Sequence, residues 1–373
     1  MKVVAVTTWF PTETVPTSGT FTLADIQAIK SRREVSDIRV VHLVPPHTDD
    51  GTRQLTYQGL DVVRIPMSTT SPAQILAAGK ALREEVRGAD LVHTMAFSTL
   101  LAMAWWRPQG TWVHTEHWSG LTTPSTLPLA WRLALPLIWP LVRRPDVVTA
   151  VCDYLARPIR KRRNTGPTVV VPCIVPPPEH LDPRPIRPRT PTRLVAVGGL
   201  VDRKDPLIAV DTVAELYRRG TPARLTWVGE GPLRETVARR ARKQGVEHLV
   251  RLPGATDSAG VRRALADADL FFLPTKGDNF CVSCAEALVA GRPVVVGATG
   301  GQGEYIDPSV GALVSEQEAS AYADAISAVE RRTRHLNASD VAATIGDRFA
   351  AGQVAAQYAA VYTGTGTRAA GRD

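Results

Sequence analysis

The stretch Pro274-Thr-Lys-Gly-Asp-Asn-Phe-Cys-Val-Ser-Cys-Ala-Glu-Ala-Leu288, followed by Gly291-Arg-Pro-Val-Val-Val296 and Gly300-Gly-Gln-Gly-Glu304, decides the reading of this chain. An apolar strand ending at Leu273 runs into a polar loop. A helix follows, then a second apolar strand, then a glycine loop. Asp278 falls in the first loop and Glu286 on the helix behind it, with seven residues between them. Two carboxylates in that relation suit two different hydroxyl-bearing parts of one ligand.

Working outward, the same alternation covers the whole sequence. Apolar runs of strand length occur at 2–7, 38–44, 90–95, 111–116, 146–151 and 168–172. They recur at 193–198, 224–229, 249–252, 269–274, 293–297 and 311–314. Segments of helical period separate many of them, for example 206–219 and 233–244. Strands alternating with helices predict parallel sheets covered on both faces.

The alternation breaks once, where 176–191 holds seven prolines and can continue neither a helix nor a central strand. A chain of 373 residues suits two domains. The expected organisation is a first Rossmann-like domain over 1–176, a Pro-rich linker over 177–192 and a second domain over 193–345. A C-terminal helix over 346–362 would pack back on the first domain, and 363–373 would form a disordered tail. The apolar spacing of Phe349, Val354, Tyr358 and Val361 extends that helical reading back to Ser339. Two doubly wound α/β domains facing a cleft would bind ligand at the carboxyl ends of their strands.

Composition excludes several classes. The net charge of +8 is uneven, with 19 basic and 13 acidic side chains in 1–177 against 25 and 23 in 178–373. A basic first half suits an anionic membrane or a phosphorylated acceptor. No nucleic-acid recognition motif accompanies it. Four cysteines make no disulfide framework, and Cys281-x-x-Cys284 lacks the second pair or the histidines that a zinc site needs. The opening apolar run is too short for a secretory leader, so a cytoplasmic protein is expected. The first strand leads into Thr7-Thr8-Trp9-Phe10 and not into a glycine fingerprint, which argues against a dinucleotide enzyme.

Four blocks, in order, resemble the retaining glycosyltransferases of the GT-B fold, the large bacterial family four (group 1) type. Phe10-Pro11 through Ser18-Gly19-Thr20-Phe21 is similar to the family's opening, and Gly19 would let backbone approach the donor at a helix start. In Trp112-Val-His114-Thr-Glu116-His117, at the end of an apolar strand, His117 resembles the histidine beside the transferred sugar. His93 resembles a further histidine facing the cleft, in contact with sugar or acceptor. His114 and His42 read as structural. The third block, Gly198-Gly199-Leu-Val-Asp-Arg203-Lys204, is similar to a loop carrying a basic pair. Cations there would stabilise the charge of a departing nucleoside diphosphate. Many members have Arg where Gly199 stands.

In the fourth block, the stretch quoted at the outset, the resemblance gives Glu286 the ribose hydroxyls and Asp278 the hydroxyls of the donor sugar. Asp278 is one methylene shorter than the usual Glu. The turn Asn279-Phe280-Cys281-Val282 would offer backbone amides to the diphosphate, and Glu230 in Gly229-Glu-Gly231 would shape the donor side. The resemblance thus implies His117, Arg203, Lys204 and Asp278 as catalytic, and no metal or other cofactor.

On the acceptor side, Leu127 to Val142 is apolar and rich in Trp, with Arg143-Arg144 behind it. Its sixteen residues would span about 24 Å as a helix, short of a bilayer core, and Pro136 and Pro140 interrupt it. It reads either as a core helix of the first domain or as an interfacial segment over 127–144 that touches the inner face of a membrane. The resulting expectation is a retaining transfer of sugar from a nucleoside diphosphate to a hydroxyl of a glycan, a lipid-linked sugar or a small molecule. A catalytically silent, nucleotide-sugar-binding partner subunit, and an epimerase or phosphorylase of like architecture, are the alternatives.

Overall fold

Parallel β-sheets form both halves of the protein, seen in a computed structural model that describes residues 1–16, 18–124, 129–184 and 190–364. The chain divides into two units. The second, Val175–Arg348, is inserted into the first, which comprises Met1–Ile174 and resumes at Phe349.

The first unit runs β1 (Lys2–Thr7), α1 (Thr20–Lys30), β2 (Asp37–Val44), β3 (Gln54–Tyr57), β4 (Leu60–Pro66), α2 (Pro72–Glu85), β5 (Leu91–Met95), α3 (Ser98–Ala102), β6 (Thr111–Glu116), α4 (Leu129–Ile138), β7 (Val147–Ala150), α5 (Asp153–Arg162) and β8 (Thr168–Val170). Its sheet has the order β3-β4-β2-β1-β5-β6-β7-β8, parallel except for β3. β1 and β5 are central, and their residues apart from Lys2 are buried because helices cover both faces. The hairpin of β3 and β4 turns on Gln58 and Gly59, both at positive φ. It lay outside the predicted strands.

The second unit runs β9 (Thr192–Val197), α6 (Pro206–Arg218), β10 (Ala223–Val228), α7 (Arg234–Lys243), β11 (Val250–Gly254), α8 (Ser258–Asp267), β12 (Leu270–Leu273), α9 (Val282–Val289), β13 (Val294–Gly297), β14 (Gly311–Val314), α10 (Ala319–Thr333) and α11 (Ala338–Ala343). Its sheet, β11-β10-β9-β12-β13-β14, is parallel throughout. Local chemistry sets the helix starts. Pro206 stands at the first turn of α6, the Asp257 carboxylate caps α8 on the Gly260 amide at 2.8 Å, and Asn337 and Asp340 form a capping box on α11.

α12 (Ala351–Tyr362) belongs to the first unit, where it packs on α1. Val354, Tyr358, Val361 and Tyr362 join the core formed by Val3, Ala5, Ile26 and Ile29. The helix predicted from Ser339 to Tyr362 is broken: α11 ends at Ala343, Gly346 takes φ +59, and the chain changes unit before α12 begins.

The Pro-rich segment is not a free linker in its described part. Arg184 is buried, and its guanidinium donates to the carbonyls of Thr333 at 2.6 Å and Leu336 at 2.9 Å. Arg292, fully buried, donates to the Asp182 and Pro183 carbonyls from the opposite side. Residues 175–184 are therefore stapled into the second unit. The remainder of the expected linker over 185–189, and all but the first two residues of the expected tail, lie outside the described residues.

Candidate active site

Strand order reverses in the second sheet between β9 and β12, and the loops leaving those two strands meet there. The β9 loop carries Gly198, Gly199 and a short 3-10 turn over Asp202–Lys204. The β12 loop carries Lys276, Gly277 and Asp278. The two are stitched together through backbone. The Lys276 amide donates to the Arg203 carbonyl at 2.9 Å, the Thr275 hydroxyl to the same carbonyl at 3.1 Å, and Arg203 Nη1 to the Gly277 carbonyl at 2.8 Å. Lys276 Nζ reaches Asp202 at 2.9 Å and Asp205 at 3.5 Å.

At the centre, one carboxylate oxygen of Asp278 takes both cations. The Lys204 ammonium contacts Oδ2 directly, and Arg203 Nη1 lies 3.3 Å from the same atom. Burial would raise the Asp278 pKa, but Lys204 and Arg203 together outweigh it and hold the group below the ordinary carboxylate range. Gly198 lies beside the Lys204 stem at φ +152, where the backbone angle favours glycine although a Cβ would make only an ordinary 3.5 Å contact with Lys204 Cε. The structure thus brings Gly198, Arg203, Lys204 and Asp278 together.

The glycine loop after β13 closes the other side. A Cβ on Gly300 would fall 1.9 Å from the Asp278 carbonyl oxygen, so this close approach requires glycine. The Gly301 amide donates to the Asn279 carbonyl at 2.8 Å. The Tyr305 hydroxyl lies 2.8 Å from the carbonyls of both Phe280 and Cys281. These bonds fix the turn into α9, where Cys281 is held at φ +59.

Asn279, Phe280 and Cys281 are each at most 4% exposed. Val282 and Ser283, at the start of α9, are half-buried. Glu286, one turn further on, is half-buried, and among the described residues its carboxylate has neither a hydrogen-bond nor an ion-pair partner. Desolvation raises its pKa to about 7. A carboxylate kept partly dry and unpaired is poised to accept hydrogen bonds from a ligand. Glu230, by contrast, is spent on Arg234 at 2.8 Å and stays half-exposed.

In the first unit, β6 ends at Glu116, whose fully buried carboxylate accepts from the amides of His117 at 2.8 Å and Trp118 at 2.7 Å. His114 Nε2 lies 3.2 Å from its other oxygen. Glu116 thereby shapes the turn that presents His117. Burial lowers the His117 pKa to about 4, so the ring is neutral at physiological pH. The His117 ring lies 4.9 Å from that of Phe21, tilted by 56°, and Phe21 lies 6.4 Å from the half-exposed Trp9. Gly19 opens α1 beside them, with its missing Cβ position only 2.1 Å from the Trp9 carbonyl oxygen. Gly19 is buried there, so the close approach it permits is to the protein's own backbone.

His93 does not face a ligand. It is 1% exposed, with Nδ1 at 2.7 Å from the Tyr362 hydroxyl and Nε2 at 2.6 Å from Thr115 Oγ1. It is a core residue clamped by α12, and the expected sugar or acceptor contact is withdrawn. His42 is likewise buried. Sequence reasoning missed the shaping role of Glu116, the Trp9–Phe21 pair, and the Lys276 and Tyr305 supports. Only Trp9 carried a signal, as an aromatic at a strand end. Among the described residues, no group of three or more His, Cys, Asp or Glu is placed to hold a metal.

Solved structures share this architecture over nearly the whole chain. The lipopolysaccharide outer core galactosyltransferase WaaB superposes with a TM-score of 0.76 at 15% identity, covering 98% of this chain and 99% of that one. Sucrose-phosphate synthase from Thermosynechococcus elongatus gives 0.76 at 18% identity, covering 98% and 99%. The architecture is therefore that of the GT-B glycosyltransferases.

Residues 37–178 match the family described as Glycosyltransferase Family 4, and residues 191–331 match Glycosyl transferases group 1. The chain belongs to this family of glycosyltransferases. Among curated relatives, WcaL of Escherichia coli (strain K12), a glycosyltransferase named for colanic acid biosynthesis, is 29% identical over 196 residues, 50% of this chain and 48% of that protein. A GDP-mannose-dependent alpha-(1-6)-phosphatidylinositol dimannoside mannosyltransferase of Mycobacterium tuberculosis (strain ATCC 25177 / H37Ra) is 32% identical over 149 residues, 39% and 38% of the two chains. The chain spans at most about half the length of these two relatives.

Proposed function

We propose that the protein transfers a sugar from a nucleoside diphosphate to a hydroxyl of a glycan, lipid-linked or small-molecule acceptor, with retention at the anomeric carbon. The observation that carries this reading is the Asp278 carboxylate shared by Arg203 and Lys204, with the unpaired Glu286 behind it. A leaving diphosphate gains charge as the glycosidic bond breaks, and two fixed cations lower that barrier without reorganising. Asp278 holds the two cations together and offsets part of their charge. When donor binds, the phosphates take over as partners of the cations, and the freed carboxylate can accept hydroxyls of the sugar. Glu286 accepts from the ribose. The start of α9 would add its amides toward the diphosphate. The scheme assigns all charge compensation to these groups and calls on no metal. His117, neutral and packed against Phe21, would contact the transferred sugar. The proposed reaction would run in the cytoplasm.

A thermal-shift panel of nucleoside diphosphates and nucleotide sugars tests the reading. Ligand at 100 times its dissociation constant adds about 2.7 kcal/mol of stability. Product anomers are then assigned by nuclear magnetic resonance. Lys204→Ala should lower turnover more than donor affinity, because its charge matters most as the diphosphate leaves. No stabilisation by any nucleoside diphosphate would defeat the proposal. Stabilisation without transfer to any acceptor would leave a binding subunit in its place.

A further inference from the structure

α4 is apolar on both sides. Leu135 is buried, as are Trp139 and Val142 in the 3-10 turn that follows. Leu129, Leu133 and Leu137 point the other way and are 67%, 69% and 82% exposed, more than any other large apolar side chain among the described residues. Their spacing of four residues puts them on one stripe, which the exposed Pro136 and Pro140 extend. A helix on a protein surface ordinarily turns polar residues outward. Here the outward stripe is leucine and proline, with Arg132 beside it as the one charged residue of α4. The reading of this segment as a core helix is thereby set aside.

The charge around the stripe has one sign. No acidic residue occurs between Glu116 and Asp146, while Arg132, Arg143 and Arg144 do. The basic end of α5 is fixed to the same place. The Arg162 guanidinium lies 4.5 Å over the Trp139 ring, and Arg143 Nε donates to the Arg162 carbonyl at 2.6 Å. Arg157 and Arg160 are compensated by Asp153, but among the described residues Arg132 and Lys161 have no acidic partner.

We propose that the outer face of α4, with the basic residues beside it, docks on an anionic lipid bilayer. A ten-residue helix is about 15 Å long and lies in the interface rather than crossing the bilayer. Among the described residues no helix is long and apolar enough to cross. Leucines enter the boundary between headgroups and acyl chains, and Arg132, Arg143, Lys161 and Arg162 meet the phosphates. A second copy of the chain fits less well: a two-fold interface sets each patch against itself and would bring these cations face to face.

Flotation of the full chain with vesicles tests this. The protein should float with phosphatidylglycerol-containing vesicles, far less with pure phosphatidylcholine, and release in high salt. Leu133→Glu together with Leu137→Glu should weaken binding roughly tenfold or more. Arg132→Ala and Lys161→Ala should each weaken it about fivefold. All four sites are exposed, and circular dichroism checks the fold. The proposal is overturned if the wild type does not float, if it floats equally with both vesicles, or if the leucine variant floats like the wild type. It is also overturned if the leucine variant dissolves a dimer in sedimentation velocity while vesicle binding is absent. No sugar donor enters this experiment, so its failure and that of the proposed reaction are read separately.

Discussion

A Cβ built on Gly199 would meet the Glu230 carbonyl oxygen at 3.5 Å and the Val201 methyls at 3.7 and 3.9 Å, which are ordinary contacts. On Gly229 it would fall 2.0 Å from the Gly198 oxygen. Adjacent loops thus hold one glycine the fold requires and one it does not. Gly199→Arg should fold normally and add a third cation beside Arg203 and Lys204. Titration calorimetry should show nucleoside diphosphate binding about tenfold tighter, the effect of one charge-assisted hydrogen bond of about 1.5 kcal/mol. Unchanged affinity would mean that the loop does not face the phosphates. Glu286 gives a second test. Its folded-state pKa of about 7 lies above the ordinary 4.5, so between those values the folded chain holds a proton that the unfolded chain has released. Stability therefore falls as pH rises through that window. Glu286→Gln should melt with the wild type below pH 4.5, melt higher than it above pH 7, and bind nucleoside diphosphate more weakly. The meeting of Arg203 and Lys204 with Asp278 was legible because opposite charges on two adjacent strand-end loops mark each other in sequence. His93 was misread because a histidine late in an apolar strand looks the same in sequence whether it faces a ligand or a tyrosine from a helix 269 residues away.

At the scale of elements, Tyr362→Phe isolates what α12 contributes. It removes the hydroxyl at His93 Nδ1 and leaves a buried ring nitrogen unsatisfied. A urea titration should show a loss of roughly 1–3 kcal/mol, with nucleoside diphosphate affinity unchanged. A fall in affinity would restore His93 to the binding site. The interior strands were readable because a parallel strand buried on both faces is a continuous apolar run, as in Leu270–Leu273 and Val294–Gly297. The β3–β4 hairpin escaped for the opposite reason. β3 is an edge strand with exposed Gln54 and Thr56, and β4 carries Arg64 into the interior, where Asp50 holds it at 2.6 Å. A buried ion pair is invisible to apolar periodicity. α4 stayed ambiguous because a helix apolar all round has no preferred side until its neighbours are known.

For the whole molecule, the path of the chain matters more than the count of its strands. All contacts of Arg184 and Arg292 described above lie within 175–348, so that fragment carries its own staples, whereas one beginning near residue 190 would leave Arg292 facing lost carbonyls. The 175–348 fragment should give cooperative unfolding by circular dichroism and bind nucleoside diphosphate, yet transfer no sugar. Transfer by the fragment alone would remove His117 from the proposed reaction. The two-unit division was legible from one proline-rich break. Its edges were not, since Arg184 looks like any loop arginine until its carbonyl partners are seen. The place of α12 has a consequence for synthesis. The inner face of α1, with Asp25, Ile26 and Ile29, stays uncovered until Tyr362 has left the ribosome. At about 5–20 residues per second, the interval from β8 to the end of α12 is on the order of ten to forty seconds. The part of the chain made second is therefore complete first, and the nascent amino-terminal half is the stretch that chaperones must shelter.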